Sequence, residues 1–372
     1  MKYHKKIILS VLMMVTCLTI IPGGTGKARE NQSENLLRNS DFEVLEAPDK
    51  PRFWSRGRGW SLDTEGPYQG KSCMRASEAW RWLLQEVPAK PEKYYSFTAY
   101  VKSDIGVARK TDYQNTFLWL DYLDKEGKII KEESGPIYVA SSWGLYGRVI
   151  LTPTKTEKIR VKLGKRLGEG SVWFDGIELK SLSNNLLLNP DFEIVDSEDR
   201  PVFWGVGRGW SAHITRPYRG RNCMQGTEPW QQLWQSLPAR PNRFFALKTH
   251  LRSNITVTEG ADNLNTAVFL MCLDSKGKVI KQEERAMLAP FSWQEREISV
   301  YAPDETATVK ITLLKRLGKG SLWVDDLQVR QLPSYLRIRI LRAILDDKPF
   351  FIFYFSLYLI LIISLIRVVL KR

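Results

Sequence analysis

The sequence predicts an all-β protein: two tandem antiparallel β-sandwich (jelly-roll) domains followed by a C-terminal transmembrane helix. Three observations carry that prediction. The chain repeats itself at a fixed offset of 150 residues, each copy consists of short alternating apolar segments broken by Pro and Gly, and one uncharged apolar stretch stands near the end. NLLRNSDFE at Asn35–Glu43 returns as NLLLNPDFE at Asn185–Glu193, GRGW at Gly57–Trp60 returns at Gly207–Trp210, and KRLG at Lys165–Gly168 returns at Lys315–Gly318. Over Asn35–Leu182 against Asn185–Leu332 there are about 56 identities in 148 positions, with no insertion. A unit of that length is an ordinary single-core domain. Positions kept in both copies are those that the shared fold or shared function needs.

Residues 1–28 read as a secretory leader: Lys2, Lys5 and Lys6, the apolar stretch Ile7–Ile21, then Pro22, Gly23 and Gly24, with cleavage near Gly26 or Ala28. Thr16 before Cys17 is a poor lipoprotein signature. The first domain spans residues 31–182. Tyr94–Lys102, Thr116–Leu123, Ile159–Leu163 and Val172–Leu179 read as strands, and Glu126-Gly127 supplies a turn before Lys128–Lys131. Several strands at this spacing favour a sandwich or jelly roll. The second domain, residues 185–332, follows after only Ser183-Asn184, a join short enough to hold the two close.

Pro333 stops the last strand and opens a juxtamembrane linker, residues 333–348. Its segment Tyr335–Leu345 mixes aliphatic residues with three arginines, which suits either a helix lying on the membrane face or an extension of the helix that follows. Residues 349–370 are the predicted membrane helix: Pro349–Ile366 holds no charge, and extension to Leu370 gives about 33 Å at 1.5 Å per residue. Basic residues flank it on both sides, so the leader sets the orientation. The expectation is a single-pass protein of the cell membrane with both repeats outside and Arg367–Arg372 inside.

The formal charge of +14 does not signal nucleic acid once it is divided along the chain. Residues 1–30 hold five basic residues and one acidic, residues 333–372 seven and two, so about +5 belongs to the repeats. Clusters at Arg52, Arg56 and Arg58 and at Arg216, Arg219 and Arg221 read as solvated surface or as a moderate preference for anionic polymers. Of the cysteines beyond the leader, Cys73 and Cys223 occupy one position in two copies and read as small buried residues. A Cys223–Cys272 bond is conceivable, but Tyr122 stands where a first-copy partner would be.

The order of motifs within each copy resembles the carbohydrate-binding modules of families four, nine and twenty-two, the CenC-like modules on the galactose-binding-like jelly roll. The matching elements are NLLRNSDFE, then Phe53-Trp54, GKSCMRA, Gln85 before PAKPEKYYSFTAYVKSD, Trp143, and WFDGIEL at Trp173–Leu179. The second copy matches with Asp191-Phe192-Glu193, Gln235, Trp293 and WVDDLQV at Trp323–Val329. The resemblance implies a structural calcium in each sandwich, with Glu43 and Asp175 as carboxylate ligands in the first and Glu193 and Asp325 in the second. A hard cation takes such oxygens, though Gly176 replaces the second Asp of the closing strand. The alternative reading of these four is a hydrogen-bonded carboxylate closing the strand ends.

Sugar recognition needs flat apolar platforms with polar groups beside them, which aromatic side chains provide. Trp54, Trp143 and Trp173 and their copies match framework positions and are expected to pack in the core. Trp80 and Trp230, in SEAW and TEPW, follow Glu78 and Glu228 in irregular segments and are the expected platforms. Arg58 and Trp60, copied as Arg208 and Trp210, lie in a Gly-flanked loop and are further candidates, with core or strand-end packing as the other reading. Trp82 and Trp234 differ in position between copies.

Catalysis is not expected. Glu43, Glu78, Asp124, Glu133 and Asp175 are retained, but a glycosidase pair duplicated in two module-sized sandwiches would be unusual. His213 faces Asp63 and His250 faces Tyr100 in the other copy, so no histidine-centred triad is duplicated. The expected partner is a polysaccharide or cell-surface glycan. A structural or adhesive surface protein, or an accessory component of polysaccharide assembly or export, is the alternative.

Overall fold

The computed structural model describes residues 34–106, 114–256 and 264–332. The leader, the juxtamembrane linker and the membrane helix expected from the sequence lie outside the described residues. Within them there is no helix, and every pairing between strands is antiparallel.

Each repeat builds two large sheets of its own, the first adding a two-stranded sheet of Leu45–Ala47 with Lys50–Pro51, and no strand pairs across the Leu182–Asn185 join among the described residues. In the first repeat one sheet runs Pro136–Ile137, Thr116–Leu123, Lys158–Lys165, Trp82–Pro88 and Ser55–Arg56, with Ile129–Glu133 also paired to Thr116–Leu123. The other runs Gly144–Leu151, Tyr94–Ser103, Val172–Leu182, Cys73–Ala76 and Trp60–Asp63. The second repeat keeps the order, with Val279–Met287, Thr266–Leu273, Thr308–Lys315, Gln232–Pro238 and Gly205–Val206 in one sheet. Gln294–Ala302, Arg243–Ser253, Leu322–Leu332, Cys223–Gly226 and Trp210–His213 form the other. The strands expected from alternation are all present, and Gly127 turns the 124–128 hairpin at φ 78°.

Side-chain alternation makes the sandwich. Leu83, Gln85 and Val87 point inward from one strand, as do Leu118, Leu120 and Tyr122 from another, and they meet Phe97, Val101, Phe174 and Leu179 of the opposing sheet in one apolar cluster. The duplicated polar residues serve this frame. Asn35 donates to the Ile177 carbonyl at 2.9 Å and accepts from Leu179 N–H at 2.9 Å, and Asn185 does the same to Leu327 and Val329. Buried Gln85 accepts from Arg38 N–H at 2.8 Å and donates to the Arg38 carbonyl at 3.0 Å, so the motif strand is tied down where it has no ladder of its own.

The short join does bring the sandwiches together. Tyr94 and Val149 of the first belong to the apolar cluster of the second, the Tyr94 hydroxyl donates to Gln331 Oε1 at 3.0 Å, and Arg240 lies 3.9 Å from Glu92. The three cysteines are free and buried, and burial pushes the Cys73 and Cys223 thiols up to about 12. Cys223 and Cys272, on different sheets of the second sandwich, are both free, so the disulfide left open by the sequence is not formed.

Candidate functional site

Trp80 and Trp230 lie outside the sheets with half of their surface exposed, 51 % and 55 %. Both hold a left-handed backbone, φ 59° and 62°, a conformation rare for a bulky residue and kept here in both copies. The motif lysines hold them there. The Trp80 N–H donates to the Lys165 carbonyl at 2.9 Å, while buried Lys165 Nζ donates to the carbonyls of Ser77 at 2.8 Å and Gly170 at 2.6 Å. Trp230 and Lys315 repeat the backbone bond, and Lys315 Nζ bonds the Thr227 carbonyl. Burial lowers both lysines from their ordinary range.

Trp80 is one end of an aromatic group on the outer face of its sheet. The register places Gly164 between Trp82 and Phe117, Lys162 between Leu84 and Trp119, and Arg160 between Glu86 and Asp121. Phe117 is buried at the centre: its ring lies 4.9 Å from Trp80, 5.5 Å from Trp82 and 5.6 Å from Trp119. Trp82 and Trp119 are half-buried and 5.8 Å apart. Fully buried Asp121 accepts from Trp119 Nε1 at 3.0 Å and holds Lys162 Nζ at 3.0 Å, and that ammonium lies 5.2 Å and 4.9 Å from the Trp82 and Trp119 rings. Arg160 is 2.6 Å from Glu86 and 3.5 Å from Asp121. Lys162 and Arg160 therefore have protein carboxylates as partners, while the Arg166 guanidinium lies 5.8 Å from the Phe117 ring and bonds the Gln114 carbonyl.

The second sandwich shows a different face at the same positions. Gln232, Ala267 and Leu314 replace Trp82, Phe117 and Gly164, while Trp234 and Phe269 replace Leu84 and Trp119. Lys310 lies 5.2 Å from the Trp234 ring. Phe117, Trp119 and Lys162 were not singled out from the sequence.

The structure separates the other candidates. Trp60 and Trp210 are 3 % and 5 % exposed and sit in the two cores, Trp60 with its ring 5.5 Å from Phe174, so they offer no face to a ligand and the exposed-loop expectation is corrected. The loop turns at Gly59 and Gly209, φ 75° and 77°, where a Cβ would collide with the side chains of Glu78 and Glu228. Arg58 is exposed and pairs with Glu78 at 3.2 Å, while Arg208 is exposed. Trp143 and Trp173 are not core residues either. Strand alternation puts Phe174 inside and Trp173 outside, half-buried, with its indole donating to Asp63 at 2.6 Å. Trp143 Nε1 and Lys102 Nζ both donate to the Gly66 carbonyl, at 3.1 Å and 3.0 Å, with the ammonium over both indoles, so this group clamps the loop that follows strand Trp60–Asp63. Trp293 and Arg252 repeat the clamp on the carbonyls of Arg216 and Thr215.

That loop also receives the four candidate metal ligands. Glu43 Oε1 accepts from Lys71 N–H at 2.8 Å and Ser72 N–H at 2.9 Å, and Asp175, fully buried, accepts from Gln69 at 3.0 Å and Gly176 at 2.7 Å. Glu193 accepts from Arg221 and Asn222, and buried Asp325 from Tyr218, Arg219 and Asp326. Burial pushes Asp175 up to about 6 against its N–H bonds, and the charge on Glu43 adds to the rise. Asp325 is raised to about 6 by burial too, with Asp326 adding to it. A Cβ at Gly70 or Gly220 would strike the Glu43 or Glu193 carboxylate. Among the described residues no group of three or more His, Cys, Asp or Glu side chains surrounds these positions, so each sandwich offers two carboxylates and the carbonyls of one loop. In the first sandwich buried Asp175 stands beside the Glu43 charge, and in the second the charge beside Asp325 is Asp326, which Arg219 pairs at 3.2 Å; the oxygens a hard cation would take are present and already accept backbone N–H groups.

No family model and no curated protein matches the chain. Among solved structures it is similar to the N-terminal tandem CBM22 domain of Xyn10C from Paenibacillus barcinonensis, with 12 % identity and a TM-score of 0.31 over 81 % of this chain and 98 % of that one. A CBM61 in complex with β-1,4-galactotriose matches at 18 % identity and a TM-score of 0.30, over 40 % of this chain and 100 % of that one. A CBM4 matches at 14 % and 0.27, over 39 % and 99 %. The fold class rests on the strand pairing described above.

Proposed function

We propose that this protein binds a glycan and performs no chemistry on it, and that the first sandwich holds a principal site on its outer aromatic face. The observation that carries this reading is the Trp80, Trp82 and Trp119 group braced by buried Phe117. Such rings take the C–H faces of pyranose units at little entropic cost, and Lys162, Arg160 and Glu86, positioned by buried Asp121, supply polar edges for hydroxyls. Because those charges are already paired, the face suits a neutral sugar chain; binding an anion there would require breaking an ion pair. In the second sandwich the register sets Trp234 and Phe269 on either side of Thr312, and Trp230 stands exposed with Ala267 where Phe117 braces Trp80.

A glycan array with the full-length protein, repeated with the Trp80→Ala/Trp230→Ala variant, tests this reading. Signal on neutral polysaccharides that drops at least tenfold in the variant is the expected result; an unlabelled array would turn attention to protein partners and the adhesive alternative. The export and anchoring read from residues 1–28 and 349–370 belong to the same proposal and place the glycan outside the cell membrane. Protease added to intact cells, with any outer envelope permeabilised, should digest the repeats and spare a C-terminal tag.

We also propose calcium at Glu43 with Asp175 and at Glu193 with Asp325. When bound, the ion would neutralise the paired anions and fix the loops at 66–72 and 216–222. A metal that binds only the folded state stabilises it by mass action. Chelation should lower the melting temperature and Asp325→Ala should remove the part of that response owed to the second sandwich. An unchanged melting curve in chelator would leave the carboxylates as loop closures.

A further inference from the structure

Phe53 and Phe203 occupy the same position in the two copies, with the same left-handed backbone at φ 73° and 72°, and they differ only in what surrounds the ring. In the second sandwich the neighbours are Leu188, which is buried, and Val202, and Phe203 packs against the core. The first sandwich has Arg38 and Arg52 there. Their guanidinium carbons lie 5.2 Å and 4.9 Å from the Phe53 ring centroid, and Phe53 is 43 % exposed.

The backbone that presents these residues is the same in both copies. Gln85 bonds Arg38 as Gln235 bonds Leu188, at 2.8 Å and 2.9 Å. Asn39 Nδ2 donates to the Arg52 carbonyl at 3.0 Å as Asn189 donates to Val202 at 3.1 Å, and the Arg52 and Val202 N–H groups bond the Val44 and Ile194 carbonyls. One frame thus carries two aliphatic residues in one copy and two arginines in the other, and its hydrogen bonds use the backbone of Arg38 and Arg52 but not their guanidinium groups. Both are exposed, and neither has an ion pair among the described residues, unlike Arg160, Arg148 and Arg58 of the same sandwich. A guanidinium stacked on a ring keeps its in-plane N–H edge free for a planar anion, and its hydration is weak.

We infer that Arg38, Phe53 and Arg52 form an anion-binding spot on the first sandwich, apart from the aromatic face, whose ligand is a carboxylate or sulfate group carried by a polysaccharide. The spot precedes the edge strand Ser55–Arg56, which pairs with Leu83 and Leu84 of the strand bearing Trp82, so it borders the sheet that carries the aromatic face. The two repeats hold a net positive charge of about +5, which favours approach of such a polymer. Two stacked guanidiniums grip two anionic groups bidentately, which a point charge on Lys does not.

The test is affinity electrophoresis of the full-length protein in gels holding polygalacturonate, dextran sulfate or plain dextran, with the Arg38→Leu/Arg52→Val variant beside it. That variant installs residues the same frame already carries in the second copy, and a matching melting temperature verifies its fold; Arg38→Gln/Arg52→Gln serves if it does not. The expected result is retention by an acidic polymer that weakens about tenfold or more in the variant, with the salt dependence of binding reduced by about two ion equivalents. Equal retention of both proteins overturns the inference, as does retention by neither acidic polymer. Arg-dependent binding to phosphatidylglycerol vesicles without binding to the acidic polymers overturns it too, in favour of a membrane surface. Binding of neutral glycans is read separately and is expected to survive the double substitution, so loss of one reading leaves the other standing.

Discussion

Trp60→Ala is expected to destabilise the first sandwich by about 3–5 kcal/mol, a shift in the denaturant midpoint with little change in slope. The indole is 3 % exposed and packs beside Phe174, Met74 and Ala76 in the core, so its removal leaves a cavity between two sheets that cannot collapse without breaking their ladders. Trp80→Ala, by contrast, is expected to cost about 1–2 kcal/mol, because half of that ring already faces water. The pair separates two tryptophans that the sequence presents alike: both are duplicated, both lie near glycine or in irregular segments. A silent Trp60→Ala would mean that the ring is not in the core.

The contrast also explains what was legible beforehand. Duplication reports that a position matters without saying whether folding or binding keeps it, and so Trp60 and Trp80 could not be told apart by residues alone. Strand alternation did better where one face is polar: in Ile159–Leu163 the apolar residues alternate with Arg160 and Lys162, and Ile159, Val161 and Leu163 are the buried ones. At Thr116–Leu123 it finds the strand but not its two faces, because TFLWLDYL is apolar on both, so that Phe117 and Trp119 resemble a strand buried on both sides. Their place in the group depends on Lys162 arriving beside Trp119 and Asp121, and that neighbourhood is a matter of register between strands some forty residues apart. The copy-to-copy comparison worked against them as well, since Phe117 and Lys162 become Ala267 and Thr312, and positions that differ between copies look dispensable. The carboxylates were legible as pairs through the family resemblance alone; Glu43 and Glu193 accept from equivalent N–H groups at 71–72 and 221–222, while Asp175 and Asp325 accept from others of the same loops, at 69 and 219.

Trp82→Ala/Trp119→Ala should weaken binding of a short neutral oligosaccharide by roughly a thousandfold at the first sandwich, from about 2 kcal/mol for each central aromatic. The measurement is calorimetry with an oligosaccharide chosen from the array, because a long polymer would let the second sandwich hold on and mask the loss. Folding should survive, since both rings are outside the core and the inward residues of the same strands are untouched. Gly164→Leu approaches the site from the other direction. The register puts Gly164 between Trp82 and Phe117, and a Cβ there would come within 2.9 Å of Trp82 Cε3, so the added side chain must tilt that ring and fill the floor while removing no aromatic group. The second sandwich already carries Leu314 at this position, which shows the frame accepts it when Gln232 and Ala267 stand beside it. In the first sandwich the expected result is a loss of at least tenfold in affinity with Trp82 and Trp119 both in place. Unchanged binding in the double variant and in Gly164→Leu together would remove the glycan from this face and leave Trp80 as a braced but unoccupied ring.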